Sequence, residues 1–246
     1  MTTRSSATEH VVIVGGSSGI GLALADTLLA DGAEVTIVGR SADRLALAAK
    51  ELDGPAERLH TVSVDVGREE DVVRLFAATG RVDHIVTTAA DAAGVYQAIG
   101  SFDIEAARTI VDSKLIGALL LAKHGASVLA PGGSIALTSG IAAYRPAPGG
   151  SLVAAVNGAL ASLAYALAIE LAPIRVNVIS PGWVDTPIWD TIAGDNKTTR
   201  LAAMAERLPV GRVGTPHDIA QAFLSVLHNG FITGTVVHAD GGQRLV

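Results

Sequence analysis

The sequence predicts a doubly wound α/β fold, a parallel sheet covered by helices on both faces. Three observations carry that expectation. Short β-branched runs alternate with helical patterns from one end of the chain to the other. The runs are apolar at nearly every position, as strands buried on both faces must be. The first run passes through a glycine-rich turn directly into a helical pattern.

In chain order, His10 to Val14 reads as a strand, and Ile20, Leu22, Ala23, Leu24, Leu28 and Leu29 trace a helix. Val35 to Val38 is a second strand, followed by a helical pattern at Arg44 to Leu52. Leu59 to Val66 alternates and reads as a strand. Glu69 to Ala78 is an amphipathic helix, and Val82 to Thr88 a strand. One long helical region is expected from Ile104 to Leu129. Ser134 to Thr138 is a strand opened by Gly132 and Gly133. Ser151 to Ala172 is an Ala-rich helix, and Ile174 to Ile179 a strand stopped by Pro181-Gly182. Residues 186–208 read as broken helix, suited to a lid. Thr215 caps a helix at Pro216 to Leu227, and Thr235 to His238 is the last strand.

Composition narrows the function classes. The chain has 246 residues and no cysteine, which excludes disulfides and thiolate chemistry and fits a cytoplasmic location. The net charge of −6 with no basic block argues against nucleic acid as a partner. The opening MTTRSSATEH has no apolar core and does not read as a secretory leader. Residues 1–8 read as a frayed tail and 9–246 as a single domain. Between Pro146 and Ile169 there is no charged residue, yet glycines, Pro148 and Asn157 interrupt the stretch. It reads as a helix buried all round, in the core or at a subunit interface, rather than a membrane span.

The turn Gly15-Gly16-Ser17-Ser18-Gly19-Ile20-Gly21 lies between a strand and a helix. Glycine permits tight positive-φ turns and close backbone approach. The free N–H groups at a helix start favour a pyrophosphate. The combination points to an NAD(P)-type dinucleotide on a Rossmann-like domain. An acid at the end of the second strand would favour NAD(H) by holding the ribose 2′-hydroxyl. This chain has Arg40-Ser41 there, with Arg44 beyond, so NADP(H) is expected over NAD(H), the arginine forking onto a 2′-phosphate.

From about residue 9 onward the chain resembles the short-chain dehydrogenase/reductase family. The spacing of Gly15, Gly19 and Gly21 matches its glycine motif, and Asp65-Val66 its adenine-contacting pair. Pro181-Gly182 followed by Thr186 matches its nicotinamide-side motif, a stretch that includes Val184. Arg175-Val176-Asn177 and Asp240-Gly241-Gly242 match as well. The resemblance implies about seven parallel strands and a homotetramer or homodimer formed through helices near 104–125 and 151–172.

The resemblance breaks at the chemistry. The family uses a serine, a tyrosine and a lysine four residues after the tyrosine. Ser139 falls at the serine position, but Val153 stands at the tyrosine and Asn157 at the lysine. Valine has no proton to give. In the preceding helix the family often carries an asparagine three residues before a glycine. Here Lys114 precedes Gly117, so the asparagine and lysine identities are exchanged. After the fourth strand the family tends to read Asn-Asn-Ala-Gly, and this chain reads Thr87-Thr88-Ala89-Ala90.

Two readings follow. In the first, the site is remodelled: Lys114 and Ser139 polarise a substrate oxygen, a buried Lys114 serves as acid, and Asn157 orients the ribose. Reduction of a polarised C=N or C=C bond needs no strong protein acid and suits such a site, while a carbonyl or alcohol remains open. In the second, Lys114 and Asn157 are a hydrogen-bonded relic in a cofactor-binding protein that acts as a sensor or as the accessory subunit of an active relative. Tyr144 and Tyr96 are candidate replacement acids on nearby loops. Trp183 and Trp189, with Ile188 and Ile192, suggest an apolar or aromatic small-molecule substrate. The seven histidines show no metal-ligand spacing, so no metal is expected.

Overall fold

The computed structural model describes residues 8–52, 54–89 and 96–246. Seven strands form one sheet: β1 (His10–Val14), β2 (Glu34–Gly39), β3 (Leu59–Ser63), β4 (Val82–Thr87), β5 (Leu129–Thr138), β6 (Arg175–Pro181) and β7 (Val236–Ala239). Their order is β3-β2-β1-β4-β5-β6-β7, and every pairing is parallel. The order reverses between β1 and β4. A crevice therefore opens beyond the carboxyl ends of these two strands, where ligands of such sheets bind.

Alternation along β1 divides the core. Val11 and Ile13 face one apolar cluster with Leu24 and Leu28 of α1 (Gly19–Ala30) and Phe223 of α9 (Pro216–His228). Val12 and Val14 face the other, with Leu75 of α3 (Glu69–Thr79), Leu121 of α5 (Gly117–Gly125) and Leu160 of α6 (Ser151–Glu170). A continuous apolar strand is thus two alternating faces, both dry. Truncating a fully buried residue such as Leu24 or Phe223 costs about 2–5 kcal/mol. Thr215 and Asp218 form a reciprocal capping box at the start of α9. Arg175 donates to the carbonyls of Val226 and Leu227 at 2.5 and 2.6 Å, closing the other end of that helix. Asn177 holds Ile232 and Thr235. The motif Arg175-Val176-Asn177 therefore ties α9 to the sheet.

Three expectations need correction. Strand β3 ends at Ser63, and Val64 to Val66 continue as loop, because Val64 N bonds back to Gly39 O and Asp71 holds the Asp65 amide. The long helix from Ile104 is not uniform. It comprises α4 (Ile104–Ile110), a wider π-helical stretch at Val111–Ile116, and α5. Strand β5 begins at Leu129 rather than Ser134. Val82 pairs with Leu129 and His84 with Ser134, so Pro131-Gly132-Gly133 bulges out between the two pairings.

Within one chain, helix α6 is buried on one face and open on the other. One face carries Val156, Asn157, Leu160 and Ala164 inward, while Tyr165 and Ile169 stand open. By length and composition α6 is apolar enough to cross a membrane. It packs on β6, and its buried face holds the polar Asn157. The lid region comprises α7 (Ile188–Ala193), a 3₁₀ turn and α8 (Lys197–Ala205), and with the remaining helix α2 (Ala42–Glu51) it borders the crevice.

Candidate active site

A cavity of about 1040 Å³ lies over the carboxyl ends of the central strands. At one end it is walled by the glycine turn. Gly15 and Gly19 have φ of +87° and +54°, which β-carbon-bearing residues rarely adopt. A β-carbon on Gly15 would stand 2.6 Å from the Ala89 amide nitrogen, and one on Gly21 would fall on the Gly15 carbonyl oxygen. Thr88 fills the gap between them, its hydroxyl donating to the carbonyls of Val14 and Gly15. The departure Thr87-Thr88-Ala89 therefore holds the turn closed; Ala90 lies outside the described residues.

Ser18 caps α1 in extended geometry with no side-chain bond to the first turn, and that turn holds no acid. The opening N–H groups of α1 face the cavity wall formed by Ser17, Ser18, Gly19, Ile20 and Gly21. This arrangement fits a dinucleotide diphosphate. Arg40, Ser41 and Arg44 line the same end, and Arg44 reaches the Ser18 hydroxyl at 3.4 Å. Ser41 spends its hydroxyl oxygen on the Arg44 amide as the cap of α2. Asp65, Val66 and Ala89 complete that wall. Asp65 accepts from the Gly67 amide at 3.0 Å, which fixes the loop after β3.

The other end gathers residues from three elements. Lys114 comes from the π-helical stretch, Ser139 from just after β5, and Asn157 from α6. Lys114 Nζ donates to Asn157 Oδ1 at 2.6 Å and to Ser139 O at 3.5 Å. Because lysine only donates, Asn157 must present its oxygen here, leaving its NH₂ for another acceptor. The third N–H of Lys114 is likewise uncommitted among the described residues. Desolvation pushes the Lys114 ammonium down to about 8. The Ser139 hydroxyl donates inward, to the Asn157 carbonyl at 2.8 Å. Val153 lines the cavity one helical turn before Asn157.

Thr186 is buried beside Gly19, and Pro181, Gly182 and Val184 line the wall below it. The Trp183 and Trp189 rings are 4.3 Å apart, and Trp189 Nε1 donates to Val184 O. Both rings, with Ile188 and Ile192, border the cavity as an apolar wall. Tyr96 lines it too. Tyr144 does not: its ring stands edge-on to His238 at 4.5 Å. Among the described residues no cluster of metal-ligating side chains is present. His124 pairs with Glu69 and His228 with Glu9.

Sequence reasoning missed Arg145, Arg200, Arg207 and Gln243, which all line the cavity. Arg200 sits 5.7 Å from the centre of each tryptophan ring. Gln243 accepts from the Trp183 amide at 2.9 Å. These residues lie in the loop after β5, in a broken helical region and at the chain end, where no periodicity marks a binding role.

Comparison with known proteins agrees with this geometry. The family model described as enoyl-(acyl carrier protein) reductase matches residues 14–244. A short-chain dehydrogenase/reductase from Acremonium sp, ucsE, is 36% identical over 96% of this chain and 95% of its own length. The short-chain dehydrogenase/reductase malC from Malbranchea aurantiaca is 33% identical over 96% and 95%. The solved structure of MalC, described as a reductase/Diels-Alderase, superposes with a TM-score of 0.87, covering 97% of this chain and 96% of that one at 32% identity. A small-chain dehydrogenase in complex with NADPH superposes at 0.82, covering 98% and 100% at 33% identity. With its seven-stranded parallel sheet and a match over nearly its whole length, the chain belongs to the short-chain dehydrogenase/reductase family of oxidoreductases.

Proposed function

We propose that the protein is an NADP(H)-dependent oxidoreductase with a remodelled reacting centre, acting on a small apolar or aromatic carbonyl, alcohol, imine or enone. The observation that carries the reading is Lys114, a desolvated ammonium on the cavity wall with a donor to spare. Gly15, Ser17, Ser18, Gly19, Ile20 and Gly21 would hold the diphosphate, and Asp65, Val66 and Ala89 the adenosine half. Pro181, Gly182, Val184, Thr186 and Asn157 would hold the nicotinamide half. Arg40 and Arg44, with Ser41, would meet a 2′-phosphate, and the NADPH complex of a relative is in line with that choice.

Bound nicotinamide supplies or accepts the hydride. Lys114 Nζ holds a proton within a cluster that borders the substrate space. An acid whose pKa lies near neutrality is well matched to protonating an alkoxide. Carbonyl and enone acceptors place negative charge on oxygen, which Lys114 offsets. A cationic iminium would meet like charge, so the oxygen-bearing acceptors fit better. Asn157 anchors Lys114 through Oδ1 and offers its NH₂ to the ribose. Ser139 can reach a substrate oxygen only by turning its hydroxyl away from the Asn157 carbonyl.

Val153 and the inward Ser139 hydroxyl favour a second reading, a cofactor-binding protein without turnover that serves as a sensor or accessory subunit. One experiment separates them. NADPH oxidation is followed at 340 nm with ketones, quinones, imines and enones, alongside NADPH fluorescence titration. Turnover that is lost in Lys114→Ala while NADPH binding persists supports the first reading. Binding without turnover on any acceptor supports the second. The exposed Ile104, Leu119, Tyr165 and Ile169 on α4, α5 and α6 are consistent with a homodimer or homotetramer.

A further inference from the structure

The chain as a whole is acidic, with a net charge of −6, but its large cavity is not. Six cationic side chains line it, Arg40, Arg44, Lys114, Arg145, Arg200 and Arg207, and Asp65 is the one acidic side chain among its described lining residues. The sheet order sorts these charges. Arg40, Arg44 and Asp65 follow β2 and β3 on one side of the crossing, whereas Arg145, Arg200 and Arg207 follow β5 and β6 on the other. A dinucleotide phosphate can neutralise only the first group.

The second group has little to neutralise it. Asp185 and Asp190 both turn to Lys197 at 3.1 Å, and neither they nor Asp195 and Glu206 of the lid line the cavity. Arg145 donates to a carboxylate oxygen of Val246, which also lines the cavity, so Arg200 and Arg207 are the two that remain unmatched among the described residues. Arg200 lies over the two tryptophans, which hold its guanidinium at the mouth by cation–π attraction. A cleft with apolar walls and one sign of charge focuses its field on an incoming ion.

We propose that the substrate is an organic anion: an apolar or aromatic body set against Trp183, Trp189 and Ile188, bearing a carboxylate that Arg200 and Arg207 receive. Guanidinium groups match a carboxylate with paired N–H donors, so the charge orients the body as well as binding it. The proposal rests on the preceding reading only in taking this cavity as the substrate site, and its test needs no turnover.

The chain has two tryptophans, and both border the cavity, so selectively excited tryptophan fluorescence reports on this site. The NADP⁺-loaded protein is titrated with 4-acetylbenzoate, cinnamate and hexanoate, and with their methyl esters. The acids are expected to quench at least about tenfold more tightly than the esters, a loss of one charge-assisted contact. An increase in NaCl should weaken the acids and leave the esters unchanged. Arg200→Gln and Arg207→Gln should each narrow the gap between acid and ester, with NADP⁺ affinity retained. The proposal is overturned if the esters bind as tightly as the acids, if no acid quenches at millimolar concentration, or if the arginine variants weaken both alike. Acid-selective quenching without NADPH oxidation would leave this proposal standing and count against the oxidoreductase reading.

Discussion

The two ends of the cavity are built from different materials. The end at the glycine turn is made mainly of backbone, positive-φ glycines and the opening amides of α1, with the Thr88 hydroxyl clamping two carbonyls. The opposite end is made of side chains from three separated elements, Lys114, Ser139 and Asn157. A backbone site constrains the residue to glycine wherever a β-carbon would collide, so its identity survives in the sequence. A side-chain site can exchange its charge between elements and still keep it in place. The Lys114–Asn157 bond at 2.6 Å joins two such elements.

Breaking each end should therefore have a different signature. The largest effect is expected from Gly21→Val, whose side chain would fall on the Gly15 carbonyl and the Thr88 hydroxyl. Overpacking of this kind costs about 1–3 kcal/mol in stability. A denaturant midpoint should register that loss, and NADPH fluorescence should show no binding. Next, Lys114→Ala should lower turnover by about 10²–10⁴-fold, the usual range for losing an acid, with NADPH affinity unchanged. Loss of affinity in step with loss of rate would instead make Lys114 a structural residue.

A smaller effect sharpens the cofactor end. Arg40→Ala should weaken NADPH by roughly tenfold or more through loss of a charge-assisted contact, and leave NADH unaffected. Paired calorimetric titrations would show it, and an equal loss for both cofactors would remove the 2′-phosphate assignment. The smallest effect is expected from Tyr144→Phe. Its ring packs on His238 outside the cavity, so the rate should stay within about twofold, as for a surface change away from the chemistry.

The strand-helix alternation, the glycine turn and the pairing of Lys114 with Asn157 were legible in the sequence because each depends on local chemistry or on fixed spacing. The π-helical stretch was not. Residues 104–125 keep an apolar pattern close to the helical period, and one widened turn within it leaves no mark in composition. Yet that turn carries Lys114 to the cavity wall. The early start of β5 was hidden by Pro131-Gly132-Gly133, which read as a strand opening but form a bulge between two correct pairings. Arg200 and Arg207 were invisible for another reason: only the fold of the lid brings them to the same cavity as Ser139.

The pH profile of carbonyl or enone reduction tests the role of Lys114 most directly. Burial lowers its pKa to about 8, so the protonated, active form prevails below that value and is lost as pH rises through it. The account predicts a rate that is level near neutrality and falls through about pH 8, and a weak residual rate with no such fall in Lys114→Met. The same fall in both proteins would show that another group supplies the proton and would contradict the account.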